Sequence, residues 1–216
     1  MTSVAADPVT RASAPLTVRV AGLLLIAAAV LQVGLVVLRM NTLLFEGGRV
    51  AYLVTLVLVA AAALVASLPR LGARDGEDAA IDRAGAVAFR VFAVGVLAGP
   101  LLASLTPADP RPLSAAAGIL VLVLGALTLV AGAVGVWSVA RVGRTPAAVV
   151  LAASAALGWS ALVGVFWVLI PVLLPTATQE LLIAATRLGD VVGPLLLAAT
   201  GVACLIAAGR SRVSGR

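Results

Sequence analysis

Six unbroken apolar runs divide the chain, at about residues 16–38, 50–68, 84–105, 113–140, 146–174 and 181–209. Each holds roughly 19–29 residues, enough to cross a hydrocarbon core about 30 Å thick with modest tilt. A segment in lipid must satisfy its backbone hydrogen bonds internally, which leaves helices or closed barrels. Barrel strands alternate apolar and polar residues, and these runs are continuously apolar, so a barrel is excluded. The expected fold is all-α, a bundle of six transmembrane helices. Composition agrees: 62% of the 216 residues are hydrophobic and 11% charged, where a soluble domain carries about a quarter charged.

The segments outside the runs give the domain plan. Residues 1–15 are small, polar and Pro-containing, and read as a disordered tail. Residues 16–209 form the membrane domain and 210–216 a basic tail. The first run is too long for a signal-peptide core and lacks a small-residue cleavage site. Arg39-Met40-Asn41 follows it, so it reads as an uncleaved anchor. The charged stretch 70–83, with Asp75, Glu77, Asp78 and Asp82, reads as a solvated connector.

Charge sets the expected orientation. Six spans put both tails and the second and fourth loops on one side. That side carries ten arginines: 11, 19, 70, 74, 83, 141, 144, 210, 212 and 216. The other carries three: Arg39, Arg49 and Arg111. Cytoplasmic loops collect basic residues, so both termini are expected in the cytoplasm of a bacterial inner membrane. The net charge of +6 is spread over several loops. It is not gathered on one face, so it does not point to nucleic acid.

Absent residue types exclude several chemistries. The chain has no His and no Lys. Without His there is no bis-His haem, no ordinary zinc or di-iron site and no His-based acid–base catalysis. Without Lys there is no retinal Schiff base or Lys-linked cofactor. The single cysteine, Cys204, cannot form an intramolecular disulfide. Ser160, in Gly158-Trp159-Ser160, has no His to activate it. The expectation is no enzyme, no cofactor and no metal.

The least lipid-like features lie in the third and sixth runs. Gly95-Val96-Leu97-Ala98-Gly99-Pro100-Leu101-Leu102 has a near copy in Gly189-Asp190-Val191-Val192-Gly193-Pro194-Leu195-Leu196. The copies close the two halves of a three-plus-three arrangement, as in an inverted repeat. In many transporters, Gly- and Pro-interrupted helices at such positions mark the binding site. Gly95, Gly99, Pro100, Gly189, Gly193 and Pro194 are therefore candidate helix breaks. In a chain so rich in Gly, Ala and Leu, the same spacing also arises from helix packing alone.

Arg187 and Asp190 lie three apart on one face of the last run, close enough to pair. A charge inside a span points to function, since it costs at least ~2.5–3.5 kcal/mol on insertion scales. The alternative is a self-neutralised ion pair that locks one helix against its neighbours. Gln32 and Thr55 fall at similar depth and, with Arg187 and Asp190, could line an outward-facing polar pocket. Arg90 lies near the inner end of the third run, where snorkelling accounts for it.

The layout resembles uncharacterised six-helix integral membrane proteins of GC-rich bacteria. The likeness lies in segment count, in short basic turns such as Arg141-Val142-Gly143-Arg144-Thr145-Pro146, and in an acidic residue of the last helix, here Asp190. It implies the six-helix architecture and transfers no activity. Two functions are expected from the residues: a small transporter or ligand-binding membrane protein using the Asp190 region, or a non-catalytic subunit or scaffold of a larger membrane complex. The partners implied are the bilayer and either another membrane protein or a second copy.

Overall fold

A computed structural model describes residues 8–40, 45–68, 77–105, 112–142, 145–173 and 178–213. It has six helices: α1 (Pro8–Met40), α2 (Phe45–Ser67), α3 (Glu77–Leu105), α4 (Pro112–Val142), α5 (Ala147–Leu173) and α6 (Thr178–Val213). Each contains a stretch long and apolar enough to cross a membrane. The fold is the all-α bundle expected from the six runs.

Several helices extend past the apolar runs. α1 begins at Pro8, inside the stretch read as a disordered tail, and α3 begins at Glu77, inside the acidic connector. Proline suits a first helical turn, where its missing N–H has no partner to lose. Carboxylates in a first turn are favoured by the helix dipole, and Glu77 and Asp78 stand there in α3. Pro146 precedes α5, and its carbonyl accepts from the N–H groups of Val149 (2.9 Å) and Val150 (3.4 Å).

Each helix packs on its neighbours in sequence, and α6 packs back on α1. The six thus close a ring in chain order. Among the described residues, no helix contacts one beyond its two ring neighbours. The α1–α6 and α3–α4 seams are the most extensive.

The interior is built from small side chains. The buried apolar residues are nearly all alanines, joined by Cys204 and buried Thr55, Ser67, Thr128, Ser138 and Thr200. Large side chains such as Leu23, Val94, Leu127, Leu151 and Leu195 are exposed. Lipid tails are as apolar as leucine, so burying leucine between helices gains nothing from water. Backbones instead approach closely across small residues, where van der Waals contact is greatest. On α1 the buried positions recur every seven residues, as Ala21, Ala28 and Leu35, the repeat of helices crossing at a shallow angle.

Phe89 and Phe92 tie three helices together. They pack beside buried Ala60 and Ala63 of α2 and Ala93 of α3. Their rings also fill the space left by Gly135 and Gly132 of α4. α5 is the exception in the ring, since its spanning stretch is the least buried of the six.

Candidate functional site

The α1–α6 seam brings Gln32 up to the glycine–proline motif of α6. It begins at a backbone-to-backbone contact. A Cβ added to Gly22 would stand 2.8 Å from the Gly201 carbonyl oxygen and 3.0 Å from the Cys204 Cβ. Further along the same antiparallel seam, a Cβ on Gly193 would stand 4.0 Å from Gln32 Oε1. Gln32 therefore projects from α1 towards the glycine of the α6 motif.

Gln32 Oε1 is buried and accepts no hydrogen bond; among the described residues it is the buried side-chain polar atom without a partner. A buried amide oxygen left unpaired costs roughly 1–3 kcal/mol. The other buried polar side chains differ. Thr55 donates to the Ala51 carbonyl (3.0 Å), Thr128 to Leu124 (2.7 Å), Thr200 to Leu196 (2.8 Å) and Ser138 to Gly135 (2.7 Å). Each of these hydroxyls is satisfied one turn back within its own helix, as membrane helices allow.

Asp190 lies one turn before Gly193 and is half-buried. Pro194 adds a second feature there. It carries no N–H, so the ordinary helical donor for the Asp190 carbonyl, four residues earlier, does not exist. Asp190 thus brings a carboxylate and an unusual backbone carbonyl to the turn beside Gln32. That link was present in the Asp190–Pro194 spacing and follows from the i to i−4 rule.

The four polar residues do not share one pocket. Thr55 is fully buried on α2, and among the described residues α2 packs on α1 and α3 but not on α6. Arg187 is exposed on the outer face of α6, in a shallow groove lined by Glu180, Ile183, Ala184, Arg187, Leu188 and Val191. Gln32 and the Asp190–Pro194 turn remain together at the seam.

The two glycine–proline motifs also differ in their surroundings. Neither proline ends its helix: α3 runs through Pro100 to Leu105, and α6 through Pro194 to Val213. The helices are therefore not interrupted at Gly95, Gly99, Pro100, Gly189, Gly193 or Pro194. Neighbouring helices support proline in a membrane span. In α3 the first glycine is the packed one, since a Cβ on Gly95 would collide with Thr128 of α4, while Gly99 faces open space. In α6 the order is reversed: Gly189 is open and Gly193 faces Gln32.

Ser160 donates its hydroxyl to the Ala156 carbonyl (2.9 Å) on an exposed face. It is a helix-surface serine satisfied within its own helix. No family model matches the chain, and no curated protein or solved structure matches it.

Proposed function

We propose that the chain is a multi-pass protein of the bacterial cytoplasmic membrane, both termini inside, acting as a small transporter or ligand-binding protein through the α1–α6 seam. The observation that carries this reading is the buried, unpartnered Oε1 of Gln32 beside the Asp190–Pro194 turn. A polar acceptor kept unsatisfied in an apolar interior is costly, and a ligand with a hydrogen-bond donor removes the cost when it binds. Gly193 leaves room beside the amide, since an added Cβ there would meet no atom closer than Gln32 Oε1 at 4.0 Å.

The test uses proteoliposomes of the full chain, incubated with a mixture of small polar cell solutes, washed, and read by mass spectrometry. At least one solute is expected to accumulate with wild-type protein and to be lost with Gln32→Leu and with Asp190→Asn. Solute contents equal to those of empty liposomes remove this reading.

A second reading has its own observation. α5 exposes Leu151, Leu162, Val165, Phe166 and Leu169, and its Gly158 and Gly164 have no atom within 4 Å of an added Cβ. Small residues on an open helix face are where another membrane helix packs. On this reading the chain is a non-catalytic subunit or scaffold, with α5 against a partner or a second copy. Cross-linking from Gly158→Cys, in a Cys204→Ala background, tests it in native membranes. A cross-linked band of defined mass supports it, and monomer alone excludes it.

A further inference from the structure

The groove on the outer face of α6 has a chemistry of its own, independent of the α1–α6 seam. Glu180 stands in the first turn of α6, where the helix dipole favours a carboxylate. Arg187 follows two turns later on the same exposed face, about 10 Å along the axis. Between and beside them lie Ile183, Ala184, Leu188 and Val191. All six residues are exposed on the membrane-spanning helix, so they meet lipid.

The order of the charges along the helix is informative. Helical side chains lean towards the N-terminus, so Arg187 leans towards Glu180 and the nearby end of the span. Snorkelling draws it the same way. The guanidinium then lies below the carboxylate along the helix, two turns apart rather than the single turn at which helical side chains pair directly. A ligand that fills this gap carries an anion below a cation, with apolar chains continuing down the groove.

We propose that this groove binds an aminophospholipid, phosphatidylethanolamine, with its phosphate on Arg187, its primary ammonium on Glu180 and an acyl chain along Ile183, Leu188 and Val191. Arg187 offers a planar fork matched to phosphate oxygens. The ammonium offers N–H donors to the Glu180 carboxylate, and Ala184, between the two charges, is a small side chain beside the headgroup. Phosphatidylglycerol matches less well, because it lacks a cation for Glu180. Phosphatidylcholine matches less well because its quaternary nitrogen has no N–H.

Native mass spectrometry of the full chain in detergent tests this, with four lipids of identical acyl chains supplied equally. These are phosphatidylethanolamine, its N,N-dimethyl derivative, phosphatidylcholine and phosphatidylglycerol. Retention is expected to fall from ethanolamine to dimethyl to choline, with about a two- to five-fold gap between the extremes, the range of an exposed charge pair. Glu180→Gln brings ethanolamine down to the choline level, and Arg187→Gln lowers both together. Equal retention of all four lipids by wild-type protein overturns the proposal. Preferential retention of phosphatidylglycerol also overturns it, by leaving an arginine–phosphate contact without a role for Glu180. The wild-type headgroup series reads the site without any variant having to fold.

Discussion

Gly22 and Gly201 face each other so closely that neither tolerates a side chain: an added Cβ on Gly22 lies 2.8 Å from the Gly201 carbonyl oxygen, and one on Gly201 lies 2.7 Å from the Gly22 carbonyl oxygen. The contact is reciprocal and backbone on both sides, so no rotamer change relieves it. Ile26 closes the same space, with its Cγ1 at 2.7 Å and its backbone nitrogen at 3.2 Å from a Gly201 Cβ.

Gly201→Ala and Gly22→Ala are each expected to lower stability by about 1–3 kcal/mol, the usual cost of overpacking. The double variant should lose less than the sum, because either methyl already forces the helices apart. Gly164→Ala is the control. It meets nothing within 4 Å, and replacing helical glycine there gains up to ~1 kcal/mol of propensity. Thermal unfolding in detergent reads all four. A Gly201→Ala protein as stable as Gly164→Ala would remove the close seam.

The α3–α4 seam makes a sharper comparison within one motif. Gly95→Ala drives a methyl into Thr128, whereas Gly99→Ala enters open space. The first is expected to destabilise by about 1–3 kcal/mol and the second to be neutral or stabilising. Thr128→Ala should restore much of the loss in the Gly95→Ala background, since it removes the clashing atoms. Equal melting temperatures for Gly95→Ala and Gly99→Ala would refute the assignment.

These pairs show which parts of the chain were legible beforehand. The six helices followed from run length and continuous apolarity, because in lipid a backbone has nowhere else to place its hydrogen bonds. The helix ends were less legible. Pro8 and Glu77 start helices in polar sequence that composition alone assigns to tail and connector. The seams were not legible, because glycine and alanine occur on every face and hydropathy does not separate a packed Gly95 from an open Gly99. Gln32 and Asp190 stood out as polar residues in apolar runs. That Thr55 belongs elsewhere became evident only from the ring order, which puts α1 between α2 and α6.

Orientation is testable without a functional assay. Ten arginines against three predict that a cysteine at Gly76 is cytoplasmic and one at Asn41 is outside. In a Cys204→Ala background, a membrane-impermeant thiol reagent applied to intact cells should label position 41 and spare position 76. Labelling at 76 and protection at 41 would invert the topology.

Arg187 and Asp190 are expected to act nearly independently. Arg187 is exposed on the outer face and Asp190 is half-buried. Exposed pairs couple by about 0.2–1 kcal/mol. A double-mutant cycle with Arg187→Leu and Asp190→Leu, read by thermal unfolding, should therefore give a coupling no larger than this. Substantial recovery of the Asp190→Leu loss on adding Arg187→Leu would establish the locked ion pair instead.

Gln32 separates stability from function. Its Oε1 is buried without a hydrogen-bond partner, so the amide costs the folded chain something that a purely structural residue would not. Replacing an unsatisfied polar group by an apolar one of similar shape is neutral or stabilising. Gln32→Leu is therefore expected to raise stability by up to about 1 kcal/mol while abolishing solute accumulation in proteoliposomes. Asp190→Asn, which keeps the shape and removes the charge, should abolish accumulation as well. A Gln32→Leu protein that unfolds more easily than wild type would show that the amide is satisfied in the folded chain, and the case for a ligand at the α1–α6 seam would lose its main support. A stabilised protein with accumulation intact would place the working site elsewhere in the ring. The combination of higher stability and lost activity is the pattern of a residue retained at a structural cost for what it binds.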